Sequence, residues 1–327
     1  MLAAAVLSLA LTVSACGSVT TSVGTAGRLR GGVARAQSNA TLILDFTPNA
    51  VHAGVYRALA AGYYRAAGID LKVVSPTSTQ ETLKLIDAGR AQFGLADGSD
   101  VAGLIDAGGD AKAVMAIVSR PVGGLIALRS ERLRSPAGLA GRTVGVTGVP
   151  SDLAVLDTEL RAAGVDPARV RVADVGFDGA AALLAGRIAA FTGFIPDDGV
   201  ALSVGGHPIE AFALDRFGGP PYPGLVAFTT ARLAHSDPAL VHSFVAATLH
   251  GYRDTLADPG RSLDELLSAN PSLPRALSAA SLRAYLPLFS RSGAVTATSV
   301  RAMSSWMLGA HLIHAPIAPQ SYGISPL

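Results

Sequence analysis

From Thr41 onward, short apolar runs alternate with amphipathic stretches. That alternation confines the chain to an α/β fold, with strands covered by helices. The first half reads as strands at Thr41–Asp45, Asp70–Val74, Ala91–Ala96, Ala113–Val118 and Gly124–Arg129. Asn49 is a plausible N-cap for a helix running to Ala67, stopped by Gly68. Ser78-Thr79-Gln80-Glu81 is a capping box that opens a helix to Ala88, and a further helix falls around Val101–Ala107.

A second unit opens at Arg142–Val146 and continues with a helix over Ser151–Ala163, a strand at Val170–Asp174, a helix at Gly179–Ala185 and a strand at Ala189–Phe194. Gly218–Gly224, rich in Gly and Pro, cannot be regular structure and marks a crossing back. After a strand at Leu225–Thr229 the remainder reads as helices over Pro238–Leu256, Leu263–Ser268, Pro274–Leu286 and Ala297–Ala310. The expected organisation is two lobes joined by two crossings, residues 39–127 and 225–327 in the first lobe and 128–224 in the second. In such sheets, ligands sit outside the carboxyl ends of the strands.

Composition then excludes function classes. The 327 residues are 50% hydrophobic and 15% charged, yet past residue 16 no run approaches the roughly 20 apolar residues of a membrane span. The formal charge is +2, from 26 basic and 24 acidic groups, with no long basic run, so nucleic acid is not an expected partner. Low charge with high apolar content also excludes intrinsic disorder.

The start of the chain stands apart. Residues 1–15, MLAAAVLSLALTVSA, carry no charge and suit the apolar core of a secretory signal. Val13-Ser14-Ala15-Cys16 looks like a lipobox, and Cys16, the sole cysteine, is the expected lipid attachment point. No Lys or Arg precedes the apolar run, which points to a start a few codons upstream. Residues 16–38 are rich in Gly, Ser, Thr and Ala without periodicity and read as a flexible tether.

Leu44–Tyr56 (LDFTPNAVHAGVY), with Gly62-Tyr63-Tyr64 and Gly68-Ile69-Asp70, resembles the opening of the substrate-binding proteins of ABC importers for pyrimidine precursors of thiamine. Gly218–Thr230 and Ala239–Pro259 resemble that family's return crossing and long helix, so the resemblance spans about Thr41 to Leu327. It implies a periplasmic-binding-protein type II fold, and a receptor that hands a small heterocycle to ABC permease and ATPase subunits. It also implies an extracytoplasmic, lipid-anchored, monomeric protein that is not an enzyme and has no cofactor or metal.

The residues admit a site on physical grounds. Asn49, His52 and Tyr56 fall at i, i+3 and i+7 on one face of the first helix, near its positive end. Asp45 and Phe46 end the preceding strand. A flat heterocycle needs an aromatic face and a few edge donors and acceptors, which Phe46, Asn49 and His52 supply. His52 is alternatively a capping or core histidine. Asp97 and Ser99 follow a strand and either face the cleft or cap the next helix. In Gly145–Asp152, backbone N–H groups and the helix dipole offer a seat for an anionic or polar group, with Ser151 a binding residue or simply a cap. Phe194–Gly199 matches a segment in which tryptophans flank a glutamate in the pyrimidine binders. Phe194 keeps an aromatic and Asp198 replaces the acid, but Ile195 and Asp197 stand where the tryptophans would be, a departure that bears on the ligand.

His311 and His314 are spaced H-x-x-H without supporting ligands and read as a surface pair. Trp306, the only tryptophan, lies in an apolar helical stripe and reads as core. No G-x-S-x-G, C-x-x-C, H-E-x-x-H or G-x-G-x-x-G occurs. A fungal branch similar to this family makes the thiamine pyrimidine itself, with a histidine at the position matching His52 and a cysteine-rich iron site, but this chain has no cysteine after Cys16. Within the binding class, another aromatic, riboflavin, a sulfonate or nitrate are alternative ligands.

Overall fold

The computed structural model describes residues 38–323. The expected signal segment, Cys16 and nearly all of the tether lie outside the described residues. Ser38, expected as the tether's last residue, instead opens β1 (Ser38–Ile43), where its N–H donates to the Gly68 carbonyl at 2.9 Å.

The strands form two mixed five-stranded sheets flanked by helices, the two-lobed α/β architecture that the alternation implies. The first sheet runs β2-β1-β3-β10-β4, with β2 at Ile69–Val74, β3 at Phe93–Ala96, β4 at Lys112–Val118 and β10 at Leu225–Thr229. Strands β1, β2 and β3 are parallel, and β10 is antiparallel to both β3 and β4. The second sheet runs β7-β6-β8-β5-β9, built from β5 (Gly123–Leu128), β6 (Thr143–Val146), β7 (Arg171–Asp174), β8 (Ala190–Phe194) and β9 (Ile209–Ala213). Both faces of the first sheet are covered: Leu42 and Leu44 enter one core cluster and Ile43 the other. That is why the chain is continuously apolar over Leu42–Leu44, at the carboxyl end of β1.

Two expectations change. The strand predicted at Gly124–Arg129 in the first lobe pairs instead with β8 and β9, so the chain crosses between Val118 and Gly123. Pro121 lacks an N–H for a ladder, and a Cβ at Gly124 would lie 2.1 Å from the Phe212 carbonyl oxygen, so the glycine is shaped to that second-sheet neighbour. Strand β9 was not expected at all. Its side chains are mostly half-buried or exposed, and only Phe212 is fully inside, as suits an edge strand without a clean period.

The predicted helix from Asn49 to Ala67 is broken into a 3₁₀ turn (Ala50–His52), a helix over Ala53–Ala60 and a short helix over Tyr63–Ala66. Gly62, at φ 74°, makes the break. The helix Pro238–Ala257 lies against Ala53–Ala60 with the backbones nearly touching: a Cβ at Gly251 would sit 2.0 Å from the Gly54 carbonyl oxygen. Beside this crossing the Tyr252 hydroxyl donates to the Val51 carbonyl at 2.8 Å. The start of the first helix, and the residues just before it, are thereby fixed from below.

Candidate functional site

The carboxyl ends of the parallel strands in the two sheets face one cavity, with about 1060 Å³ of empty space when its open mouth is included. The turn after β1 contributes Asp45, Phe46 and Asn49, and the turn after β3 contributes Asp97, Ser99 and Asp100. The second sheet adds Gly123 and Gly124, Thr147, Ser151 and Asp152 beyond β6, Phe191–Phe194 on β8, and Asp197 and Asp198 just after it. Tyr222 enters from the return crossing.

Thus Asp45, Phe46, Asn49, Asp97, Ser99, Ser151, Phe194 and Asp198 are brought to one cavity, whereas His52 and Tyr56 are not among the lining residues. His52 has no exposed surface. Its Nδ1 accepts the Asn49 N–H at 3.1 Å, so Nε2 carries the proton and donates to Asp45 Oδ1 at 2.8 Å. Its place in the site is behind Asp45. Tyr56 packs in the first-lobe core, its hydroxyl 3.4 Å from Asn270 Oδ1. The helix runs away from the cavity, and four residues carry Tyr56 about 6 Å further along its axis than His52.

Local capping explains much of the rest. Asn49 Oδ1 accepts the Val51 N–H at 2.9 Å, which together with His52 Nδ1 completes a capping box. Asp97 Oδ1 accepts both the N–H and the hydroxyl of Ser99 at 2.7 Å, so these two cap a helix and line the cavity at once. Ser151 faces Asp100 across the cleft and draws its carboxyl pKa down against the rise from burial. The loop Gly145–Asp152 does not offer the anion seat that its sequence suggests. Asp152 already accepts the Thr147 N–H at 2.8 Å as well as the Thr147 hydroxyl, so the chain's own acid occupies that position.

Sequence reasoning passed over Asp100, Asp152 and Asp197 as binding residues, although each lies within three residues of a chosen one. It passed over Tyr222 and Tyr285 for want of any local signal. Tyr285, on the helix Arg275–Tyr285, donates its hydroxyl to Asp197 Oδ2. Trp306 is not wholly core. It is half-buried, and its Nε1–H donates to Thr158 Oγ1 at 2.8 Å. His314 lies on the surface with Nδ1 2.7 Å from Asp106 Oδ2.

Six aspartates, Asp45, Asp97, Asp100, Asp152, Asp197 and Asp198, line the cavity, and among the described residues no Lys or Arg does. Burial raises the carboxyl pKa of Asp97, and the Asp100 charge raises it further. Burial likewise raises Asp100 and Asp152. Asp197 is pushed up to about 8, first by burial and then by the charges of Asp198 and Asp45; Asp198 is pushed up to about 6, first by burial and then by Asp152. Desolvated carboxyls without cations favour a guest that brings hydrogen-bond donors or positive charge. Phe46, Phe191, Phe194 and Tyr222 supply aromatic faces in the same cavity. Among the described residues no group of three His, Cys, Asp or Glu side chains is placed to hold a metal ion, and no helix is long and apolar enough to cross a membrane.

Two α/β lobes with a cavity between their strand ends define a protein of the periplasmic-binding-protein fold. The chain superposes on the aliphatic sulphonate binding protein SsuA from Escherichia coli with a TM-score of 0.72 at 15% identity, over 88% of this chain and 92% of that one. Residues 49–262 match the family model described as NMT1/THI5 like, and the chain belongs to that family. It is 31% identical over 228 residues to the formylaminopyrimidine-binding protein of Halalkalibacterium halodurans, covering 69% of each chain. It is 24% identical over 292 residues to the 4-amino-5-hydroxymethyl-2-methylpyrimidine phosphate synthase of Legionella pneumophila, covering 88% of this chain and 90% of that one.

Proposed function

We propose that this protein is the extracytoplasmic solute-binding component of an ABC importer, and that it captures a small aminopyrimidine of the thiamine-precursor type between its lobes. The observation that carries the reading is the cavity lining: six carboxyl groups and four aromatic rings, with no cationic side chain among the described residues. An aminopyrimidine offers a flat face to the rings and amino donors to the carboxyls, and charge-assisted bonds of that kind are the stronger ones. A sulfonate or nitrate would find no Lys or Arg in that lining to balance its charge, and would sit beside carboxyl groups. The formylaminopyrimidine-binding relative supports the same class of guest. Anchoring through Cys16, a monomeric state, and delivery to permease and ATPase subunits belong to this proposal.

The relative named as a phosphate synthase raises an enzymatic reading. His52, at the position matching the fungal histidine, has no exposed surface and both ring nitrogens engaged, which supports binding over reaction at that residue. The test is a thermal-shift and calorimetric screen with formylaminopyrimidine, hydroxymethylpyrimidine, riboflavin, ethanesulfonate and nitrate. Stabilisation by an aminopyrimidine, recovered chemically unchanged by mass spectrometry, is the expected result. Stabilisation by sulfonate or nitrate alone overturns the ligand class, and conversion of the bound pyrimidine overturns the receptor reading.

A further inference from the structure

Side-chain hydrogen bonds join the lobes on each face of the first sheet. On one face, Tyr285 donates to Asp197 Oδ2. Tyr285 has no exposed surface, belongs to the core cluster that contains Leu42 and Leu44, and stacks on Phe289 with ring centroids 5.8 Å apart. Burial and the neighbouring carboxyls raise its hydroxyl well above the usual tyrosine range, so it remains a donor. On the other face, Trp306 packs against the cluster that contains Ile43 and donates to Thr158, on the second-lobe helix Pro150–Ala162. Each bond sits one step from the cavity: Asp197 lines it directly, and Trp306 stacks at 5.6 Å on Tyr222, which lines it too. Tyr285 engages only one oxygen of Asp197, and the other accepts no hydrogen bond among the described residues.

We propose that Tyr285 is a positioning residue for ligand selection. It holds one oxygen of Asp197 and turns the other to the cavity, so that the lobes close on a guest whose donor or positive charge keeps that carboxyl ionised. The Trp306–Thr158 bond forms on the far side in the same movement, which makes the only tryptophan of the chain a reporter of closure. Asp197 thereby carries recognition and closure on one carboxyl group, contributed by the second lobe and aimed by the first. A guest that is itself an anion gives that carboxyl no reason to ionise and adds to the negative charge of Asp198 beside it, which holds the lobes apart. The inference rests on the aminopyrimidine reading only for the identity of that guest.

The test uses the full chain with Trp306 emission, small-angle scattering and calorimetry, comparing wild type with Tyr285→Phe, Asp197→Asn and Thr158→Val. In wild type, formylaminopyrimidine is expected to shift the Trp306 emission and shrink the radius of gyration, and ethanesulfonate to do neither. Tyr285→Phe is expected to bind about tenfold more weakly, as the loss of one hydrogen bond implies. It is also expected to be more open without any ligand, with a changed emission from a tryptophan it does not touch. Asp197→Asn keeps an acceptor for Tyr285 but places an amide in the cavity, so affinity falls while the ligand-free scattering stays as in wild type. Thr158→Val is expected to alter the emission and leave most of the affinity. If wild type binds no pyrimidine, the functional reading fails, and the ligand-free comparison still decides this inference. Identical scattering and emission for wild type and Tyr285→Phe overturn it, as does undiminished affinity in Tyr285→Phe.

Discussion

His52 Nε2 lies 2.8 Å from Asp45 Oδ1, with none of the imidazole and only 7% of the aspartate side chain exposed. A histidine that chemistry would place in the ligand's path instead acts through a carboxylate. His52→Ala is expected to remove a buried bond to a charged group, worth about 1.5–3 kcal/mol, and to weaken ligand binding at least tenfold. His52→Gln, which restores a donor near Nε2, is expected to recover part of that loss. Titration calorimetry on both variants checks it, and an alanine variant with wild-type affinity would show that Asp45 needs no such support.

Glu159 is fully buried on the helix Pro150–Ala162. Its Oε2 is 3.4 Å from the Leu125 N–H, and its Oε1 has no partner among the described residues. Burial raises this carboxyl to about 9. The folded state therefore binds a proton that the unfolded state releases near the ordinary glutamate pKa, so its contribution is full at low pH and is lost as pH rises toward 9. Glu159→Gln is expected to match wild type near pH 5 and to exceed it increasingly toward pH 9, in chemical denaturation at a series of pH values. Parallel curves would show that Glu159 reaches water.

Gly193 lies on the cavity wall, where an added Cβ would come within 2.6 Å of Asp198 Oδ2. That oxygen accepts the Phe194 N–H at 2.9 Å. Gly193→Ala is expected to push the carboxyl off this bond and lower ligand affinity several-fold, with a melting temperature within a few degrees of wild type. A large fall in melting temperature with affinity retained would assign the glycine to folding rather than to the site.

Gly251 sits inside a helix, where alanine ordinarily gains about 1 kcal/mol over glycine. Here the new Cβ would lie 2.0 Å from the Gly54 carbonyl oxygen and 2.8 Å from the Ala58 Cβ. Overpacking of that kind costs up to about 3 kcal/mol and outweighs the propensity gain. Gly251→Ala is expected to be clearly destabilised in urea unfolding. Unchanged or increased stability would mean that the two helices are free to separate.

The legible part of this fold is what neighbouring residues decide. The apolar end of β1, the Ser78 cap and the glycine-rich crossing before Leu225 each depend on a few adjacent positions. The turns after β1, β3 and β6, which line the cavity, were legible because strand ends and helix starts are written locally in Asp45–Asn49, Asp97–Ser99 and Ser151. What escaped depends on distant partners. Gly124 reads as a strand residue in any lobe until Phe212 is seen against it. Tyr285 is an ordinary apolar-face tyrosine until the second lobe brings Asp197 to its hydroxyl. His52 and Tyr56 share a helical spacing, but the 3₁₀ turn and the direction of the helix axis separate their roles.

The position of β10 has a consequence for how the chain is made. Strands β5 to β9 come from one continuous stretch, so the second sheet has all its strands once Ala213 has been synthesised. The first sheet begins earlier but waits, because β3 and β4 do not pair with each other and both depend on β10 between them. A nascent chain therefore completes its second lobe first and holds two apolar strand edges unpaired until Thr229 has emerged. That interval is the point at which edge-to-edge association threatens the product and a holding chaperone is most useful.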